Sequence, residues 1–438
     1  MRIQQLFILL LWFALTSNLA TTGPVPKGYT SVADFGATGN GKDATKAIQA
    51  ATNSGKAIYF PPGKYLVSKP ISHLGKVIWK GAGRQSIIYG DGIILNVIKG
   101  TNSVIASLHF QNITAPIIIG RSTGNLRKII LHKKANTGGY QPTVNDTDIW
   151  NSLTEKEKKQ DVGPKISFSG KATGILVDHI TGNFVSIFIN DASYSTISFC
   201  DIIGGKNSVG AIAFSNLNGQ DGIGNVAKNN KVKYASFNGI VFLANHDGYI
   251  QNNVTEHCGE SGVKLYQGDI GGLNARNYKI HILNNVSRYN FYDGFDLTTD
   301  NPRTGTRNTG HTIKGNLSEY NKQTGFYLDG RGNLFSGNKA QYNAGSGIAA
   351  FVFGNKIQQN IFYNNNLNNT PTGVHEMVID GDSNFLTSNT ITRDKPLNGY
   401  AIYATGSNTI SNNSAKGTTF FFGVEGAVKA ILSQNTNL

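Results

Sequence analysis

The sequence predicts an all-β protein built as a parallel β-helix, a solenoid in which short strands stack turn upon turn. The composition, a recurring glycine and the abundance of asparagine support this fold class. The chain has 438 residues with 52 glycines and only 2 methionines, and it is rich in Asn, Ile, Val and Tyr. Such a composition favours strands and tight turns over helices. A chain of this length can bury a large core as one all-β unit.

A glycine recurs ahead of strand-like segments in the second half of the chain. The intervals between these glycines are 22 to 32 residues, and the positions are Gly210, Gly239, Gly262, Gly294, Gly325, Gly347, Gly373 and Gly399. This spacing is typical of a solenoid, in which each turn buries its apolar face only by stacking on the next. Further strand candidates between the glycines, such as YKIHILNNV, indicate three strands per turn with Asn at the corners.

The asparagines are best interpreted as turn formers and as stacked amide ladders. The same interpretation applies to Asn285, although Asn285-Val-Ser is also a glycosylation sequon. The two cysteines, Cys200 and Cys258, are expected to be buried free thiols, with a disulfide as the alternative.

Two segments precede the solenoid. Residues 1–20 place one Arg ahead of an apolar run and end in small or polar residues, which is the layout of a secretory signal peptide, with an uncleaved anchor as the alternative. We therefore expect a secreted or periplasmic protein without a membrane span in the mature chain. Residues 27–75 are expected to cap the first turn with one amphipathic helix around Ala44 to Thr52, followed by a strand.

The solenoid itself is expected over residues 76–425, with an insertion at about 121–171. This insertion is Lys-rich and includes a short helical stretch, NSLTEKEKK. The formal net charge of the chain is +14. A basic surface could attract an acidic polysaccharide or an anionic envelope, or it could serve solubility alone. No nucleic-acid-binding module is recognisable, so we expect no nucleic-acid partner.

Strand alternation predicts which side chains face solvent. The first and third residues after each glycine should point into the core, and the second and fourth should point outward. The residues that this rule assigns to the outer surface are Ile212, Phe214, Val241, Leu243, Lys264, Tyr266, Asp296, Thr298, Tyr327, Asp329, Ala349, Phe351, His375, Met377, Ala401 and Tyr403. Polar and reactive side chains concentrate on the three turns that start at Gly262, Gly294 and Gly325.

Three carboxylates should meet on these turns. Glu260, just before Gly262, is placed one turn below Asp293 and Asp296, and adjacent turns are separated by about 4.8 Å. Paired carboxyl groups suit glycoside hydrolysis, in which one acid protonates the leaving oxygen and one carboxylate activates water. Structural alternatives are that Asp293 is a turn former and that Glu260 pairs with Lys264.

Residues around the carboxylates could bind sugar. Tyr266, Tyr292 and Tyr327 offer flat ring faces, although an ordinary tyrosine ladder is the alternative. Lys264 and Arg331 could bind hydroxyl groups or a uronate, and Asp329 is a further candidate for substrate binding. No loop carries calcium ligands at regular spacing, so we expect no metal and no cofactor.

A longer stretch resembles a known family. The segment GESGVKLYQGDIGGLNARNY, followed by YDGFDL, resembles the active-site region of the tailspike endorhamnosidases of P22-like phages. GYQPTVND, LDGRG and NAGSG are further similar stretches, so the resemblance runs from about Gly139 to Phe351. It implies a right-handed parallel β-helix that hydrolyses O-antigen polysaccharide. Unlike the family, the chain shows no head-binding domain before residue 27 and no large C-terminal trimerisation region, which leaves a homotrimer open.

The resemblance also implies roles for single residues. The family's Glu in GESG falls on Glu260, and its two Asp in DGFD fall on Asp293 and Asp296. Aromatic residues that line the sugar groove fall on Tyr266, where the family has Trp, and on Tyr292. Asp293 would then be the general acid, while Glu260 and Asp296 would hold the attacking water in an inverting reaction.

The sequence therefore predicts an endo-acting glycoside hydrolase with a bacterial surface or extracellular polysaccharide as its partner, either O-antigen, capsule or exopolysaccharide. One alternative is a polysaccharide lyase for a uronate-containing polymer, with Lys264, Tyr327 or an Arg as the base. Another is a glycan-binding β-helix without catalysis.

Overall fold

The structure of the chain is a computed structural model. It describes residues 24–111, 118–122, 125–133, 140–145, 164–204, 209–216, 222–266, 268–270, 273–297, 308–367, 375–425 and 431–437. The predicted signal peptide and the stretch NSLTEKEKK lie outside these residues.

Parallel strands stack into three long ladders, here called faces 1, 2 and 3, that run along one axis. Face 1 contains Thr30–Ser31, Ile58–Phe60, Ile78–Gly81, Val104–Ala106, Leu176–Asp178, Thr196–Ser198, Val226–Lys228, Tyr249–Gln251, His281–Leu283, Thr312–Lys314, Leu334–Ser336, Lys356–Gln358, Phe385–Thr387, Thr409–Ser411 and Ile431–Ser433. Face 2 contains Gly63–Leu66, Ser86–Tyr89, His109–Gln111, Thr181–Asn183, Asp201–Ile203, Lys231–Lys233, Val254–Glu256, Val286–Arg288, Leu317–Glu319, Lys339–Gln341, Ile361–Tyr363 and Thr436–Asn437.

Face 3 follows face 2 in each turn. It contains Ile71–Leu74, Leu95–Ile98, Ile166–Ser169, Ile187–Asn190, Gly210–Ser215, Asn238–Leu243, Val263–Tyr266, Phe295–Leu297, Phe326–Arg331, Ile348–Phe353 and Met377–Asp380. Two long strands, Thr390–Thr405 and Ser414–Glu425, pass from face 2 to face 3. The fold is thus the right-handed parallel β-helix that the sequence predicts.

Shorter elements lie next to the three faces. A short parallel ladder follows face 3 and contains Ala172–Thr173, Ala192–Ser193, Gly222–Ile223, Asn245–His246, Asn277–Tyr278 and Asn308–Thr309. An antiparallel hairpin joins Gly268–Ile270 and Leu273–Ala275. Within the predicted insertion, Ile118–Ser122, Asn125–Lys133 and Tyr140–Asn145 form an antiparallel sheet. Two 3-10 turns span Val32–Phe35 and Gly83–Gln85, and a short strand spans Asn40–Asp43.

The predicted N-terminal helix is present as Thr45–Asn53. Its apolar side buries Ile48 and Ala51, and the side chain of Gln49 exchanges hydrogen bonds with the backbone of Ser72 on the first face 3 strand. The strands from Ile58 to Leu74 already form one complete turn beneath this helix. No helix in the described ranges is long and apolar enough to cross a membrane.

The predicted amide ladder is confirmed at the corner between faces 1 and 2. The residues of this Asn ladder are Asn230, Asn253, Asn285, Asn316, Asn338, Asn360, Asn389, Asn413 and Asn435. Each backbone N–H donates to the Oδ1 of the next Asn at 2.9 to 3.1 Å. The residue before each Asn has a positive φ, which turns the chain sharply at this corner. Asn285 is 1% exposed, so its amide serves the ladder.

Stacked glycines let faces 2 and 3 pack closely. Gly239, Gly262, Gly294, Gly325 and Gly347 occupy the same position in successive turns. A Cβ atom at Gly262 would lie 1.9 Å from Ser287 Oγ, and one at Gly294 would lie 2.1 Å from Ser318 Oγ. Side chains larger than hydrogen are therefore excluded from this column. The buried free thiols predicted for Cys200 and Cys258 are confirmed.

The alternation rule is wrong at two of the predicted glycines. Backbone pairing aligns Ile212 with Ile240 and Met377 with Ile348, so Ile212, Phe214 and Met377 point into the core. Because side chains alternate with a period of two, an odd shift in register exchanges the inner and outer sets. Gly210 itself begins its strand but pairs with Asn238, one position before Gly239, so counting from Gly210 is one residue out of register.

Candidate active site

The polar turns of face 3 are in register. Lys264 pairs with Asp296, and Asp296 pairs with Tyr327, so the three lie side by side on adjacent turns. Just before these strands, the Gly262 N–H donates to the Asp293 carbonyl at 3.2 Å, and the Tyr292 N–H donates to the Glu260 carbonyl at 3.0 Å. The predicted adjacency of Glu260, Asp293 and Asp296, hereafter the carboxylate cluster, is confirmed.

Their solvent exposure differs from the prediction. Asp296 and Asp329 were expected to face solvent, yet both are 1% exposed, as is Asp293. Asp296 Oδ2 accepts a hydrogen bond from Lys264 Nζ at 2.7 Å and one from Ser261 Oγ at 3.4 Å. A carboxylate held in this way can be buried because an ammonium group offsets its charge. Asp296 does occupy an outward-facing position of its strand, but an outward-facing side chain can still be shielded from water.

Two oxygen atoms of the cluster are unsatisfied. The Thr324 N–H donates to Asp293 Oδ1 at 2.8 Å. Asp293 Oδ2 and Asp296 Oδ1 are buried and find no hydrogen-bond partner among the described residues. Buried polar atoms without partners are rare in folded proteins and suggest a functional role. Both oxygens are therefore candidate contacts for a bound molecule.

Burial and neighbouring charges shift the pKa values of Asp293 and Lys264. Burial, and next the charge of Asp296, hold the pKa of the Asp293 carboxyl well above its ordinary value. Burial alone would lower the pKa of Lys264, but Asp296 and then Glu260 raise it overall. Lys264 therefore stays an ammonium group beside Asp296, while Asp293 favours the protonated form. Asp293 and Asp296 therefore have different surroundings, because the ion pair with Lys264 is made by Asp296.

The third carboxylate has a different environment. Glu260 is partly exposed, and its Oε2 accepts a hydrogen bond from Asn238 Nδ2 at 2.9 Å. The ion pair that the structure gives to Lys264 joins it to Asp296, where the sequence had left a pair with Glu260 as an alternative.

Aromatic side chains surround the cluster. Tyr266 is 38% exposed, and Lys264 Nζ lies 5.1 Å from its ring centroid. Tyr292 is half-buried, and its pKa is raised by burial and by Asp293. Burial, followed by Asp293, raises the pKa of Tyr327 to about 12. The ring of Tyr327 lies 5.6 Å from that of Phe351.

Arg331 ends the strand that carries Tyr327, and its side chain is exposed. Sequence reasoning missed Asn238, Ser261, Thr324 and Phe351. Ser261 and Thr324 occupy the position of Asp293 in neighbouring turns, so aligning the residues before each glycine would have found them. Among the residues described, no group of three or more His, Cys, Asp and Glu side chains is arranged to hold a metal ion.

Fold and site together define a parallel β-helix protein with two buried aspartates and a partly exposed glutamate clustered on one face. A sequence model of the Salmonella phage P22 tail-spike family matches residues 64–414. The chain therefore belongs to this family.

Solved structures share the fold. The receptor-binding protein of bacteriophage Det7, a podoviral tailspike in a myovirus, aligns over 98% of this chain and 78% of its own, with 22% identity and a TM-score of 0.67. The tailspike receptor-binding domain of siphovirus 9NA covers 94% of this chain and 76% of its own, with 20% identity and a TM-score of 0.66. The A-module of the mannuronan C-5 epimerase AlgE6 of Azotobacter vinelandii covers 93% of this chain and 99% of its own, with 15% identity and a TM-score of 0.54.

Proposed function

We propose that this protein is an endo-acting glycoside hydrolase that cleaves a bacterial surface or extracellular polysaccharide with inversion. The observation that carries the proposal is the pair of buried aspartates with unlike surroundings: Asp293, whose pKa is raised, favours its protonated form, and Asp296 lies in an ion pair with Lys264. Membership of the tail-spike family, and the likeness to a phage receptor-binding protein, support a target on a bacterial surface.

The proposed reaction needs one proton donor and one proton acceptor. Asp293 donates its proton to the glycosidic oxygen as the bond from that oxygen to the anomeric carbon breaks. A water molecule held by Glu260 and Asp296 attacks the opposite side of the anomeric carbon and gives its proton to one of these carboxylates. The Thr324 N–H fixes Asp293 Oδ1, so Oδ2 is the oxygen that carries the proton.

Surrounding side chains would hold the sugars. Tyr266, Tyr292 and Tyr327 would pack against pyranose rings, since aromatic side chains combine an apolar surface with a polar tip. Arg331 and Asp329 would bind hydroxyl groups at the edge of the cluster. Lys264 would act on the substrate through Asp296, because its ammonium group is already committed to that carboxylate.

The electrostatics favour hydrolysis over the lyase reaction. A lyase needs a neutral amine or a phenolate to abstract a proton from a uronate. The pKa of Lys264 is raised by Asp296, and the pKa of Tyr327 is raised to about 12, so both residues are poor bases at neutral pH. A binding module without catalysis has no need of a buried carboxyl with a raised pKa.

Asp293→Asn tests the proposal directly. An amide keeps the shape of the side chain but has no acidic proton, so cleavage should fall about 10²–10⁴-fold. Binding of the polysaccharide by the same variant should stay close to that of the parent. Purified O-antigen, capsule and exopolysaccharide preparations are the substrates, and reducing ends are measured. Asp201→Asn, at an exposed carboxylate on face 2, is the matched control.

Product analysis separates the alternatives. Hydrolysis yields reducing oligosaccharides with an inverted anomeric centre, whereas β-elimination yields an unsaturated, absorbing end. An unsaturated product, or an Asp293→Asn variant as active as its parent, would exclude the proposed mechanism. We expect full activity after treatment with a chelator, and loss of activity that calcium restores would support the lyase.

We also propose that the protein acts outside the cytoplasm and that it can form a homotrimer. Sedimentation of the secreted protein would test the homotrimer.

A further inference from the structure

Two columns of side chains run from the carboxylate cluster along face 3 toward the C-terminus. Column A holds the residue before each glycine position and contains Ser261, Asp293, Thr324, Ser346, His375 and Tyr400. Column B holds the residue two places after that position and contains Lys264, Asp296, Tyr327, Ala349, Val378 and Tyr403. The columns that carry Asp293 and Asp296 in one turn thus continue unbroken through four more turns.

An aromatic patch lies on these columns three to four turns beyond the aspartates. The patch consists of His375 and Tyr400 from column A and Tyr403 from column B. The His375 ring stacks on Tyr403 at 4.9 Å between centroids and contacts Tyr400 at 5.1 Å. Contact between rings from the two columns indicates that both columns border the same surface here, as they do at the aspartates.

The histidine in the patch is held in one tautomer. Its Nδ1 accepts a hydrogen bond from the Tyr400 backbone N–H at 3.0 Å, which places the ring proton on Nε2. Burial lowers the pKa of His375, so the ring stays neutral. Both tyrosines are half-buried and keep part of their surface in contact with solvent. The patch therefore combines flat apolar rings with hydroxyl and N–H groups.

The turn next to the cluster carries Thr324 and Tyr327, and smaller side chains follow. Ser346 and Ala349 occupy the turn after it, with Val378 beneath Tyr403. Three to four steps of about 4.8 Å separate the aspartates from the patch, roughly 14–19 Å along the axis. A chain of several sugar residues lying along the axis would reach both ends.

We propose that the aromatic patch is a distal subsite that binds a later stretch of the same polysaccharide chain, several sugar residues from the bond that is cleaved. The occupant is a carbohydrate because the patch continues the surface of the carboxylate cluster and offers ring faces together with polar tips. The inference rests on the proposed function for the identity of the ligand. It adds a binding determinant that depends on polymer length.

Tyr403→Ala and Ala349→Trp test the subsite from two directions. The first removes a ring of the patch, and the second fills the surface between patch and cluster at an outward-facing position. Each should raise the KM for long polysaccharide about fivefold to tenfold, which corresponds to about 1–1.4 kcal/mol of binding free energy. The kcat should stay near that of the parent, and cleavage of an oligosaccharide of one or two repeating units should be unaffected by Tyr403→Ala. Tyr320→Ala, which removes a 39% exposed ring at another corner, is the control.

Binding measurements keep the subsite apart from the chemistry. Both substitutions are repeated in the Asp293→Asn background, and retention of the purified polysaccharides is followed by affinity electrophoresis. Weaker retention of the variants supports the subsite even where the parent cleaves none of the polymers. Unchanged retention of Tyr403→Ala and Ala349→Trp overturns it, as does a parent that retains no polysaccharide. If Tyr403→Ala does not fold, Ala349→Trp alone decides.

Discussion

The Asn ladder and the carboxylate cluster are built on the same scaffold but treat buried polar groups in opposite ways. The ladder is one column of equivalent positions in successive turns, whereas the cluster draws its carboxylates from three different positions on two adjacent turns. In the ladder the residue is the same in each turn, and each buried amide bonds to the next, as Asn285 Nδ2 does to Asn316 Oδ1 at 3.0 Å. In the cluster the residue changes from turn to turn, and Asp293 Oδ2 and Asp296 Oδ1 are left without partners in the described structure.

Repetition therefore indicates stability in this protein, and its interruption indicates function. A repeated Asn satisfies every turn with one local solution, because its side chain both donates and accepts. A column that changes identity cannot satisfy itself and costs free energy unless a ligand completes it. The ladder stabilises the solenoid. Burying the charged groups of the cluster away from water destabilises it, and the rest of the fold offsets this cost.

The largest change in stability is expected on removing the ammonium group beside Asp296. Lys264→Met leaves a buried carboxylate without its charge partner, which typically costs about 3–5 kcal/mol. Urea denaturation should therefore show a lower midpoint for Lys264→Met. Adding Asp296→Asn should recover most of the lost stability but no activity. A Lys264→Met protein as stable as its parent would contradict the role assigned to this ion pair.

Removing one Asn of the ladder should reduce the free energy of unfolding by less than Lys264→Met does, and it should leave the catalytic activity unchanged. Asn316 accepts hydrogen bonds from the backbone and the amide of Asn285, and it donates to the Ile282 carbonyl at 2.8 Å. Asn316→Ala leaves these buried groups unpaired, which should reduce the free energy of unfolding by about 2–4 kcal/mol. Activity per folded molecule should not change. Lys314→Ala, at an exposed side chain of the same turn, is the control, and an equal loss in both variants would reject the comparison.

The smallest effect is a gain in stability at alkaline pH. The pKa of Asp293 is raised in the folded protein, so the folded state binds the proton more tightly, and the parent loses stability as the pH rises through that pKa. Asp293→Asn does not titrate and should be more stable than the parent at alkaline pH by about 1 kcal/mol, a size common for substitutions that relieve a functional site. Thermal unfolding at a series of pH values measures this difference. If the stabilities of the two proteins change with pH in parallel, the pKa of Asp293 is not raised in the folded state.

Much of this architecture can be predicted from the sequence. The intervals between glycines identify the solenoid, and the positions of the asparagines identify its corners, because both patterns recur once per turn. Alternation within a strand then brings Lys264, Asp296 and Tyr327 to one surface. Glu260 and Asp293 fall beside them through the stacking distance alone. These inferences need only local geometry and a repeat length.

Three features depended on the tertiary structure. Register at Ile212 and Met377 was decided by the pairing of whole strands, which the position of a glycine in the sequence does not report. Burial of Asp296 and its bond to Lys264 joined residues 32 positions apart in the sequence. The protonation of Asp293 followed from both, because a pKa depends on the water and the charges around a group, and these come from the neighbouring turns and not from the strand that carries the residue.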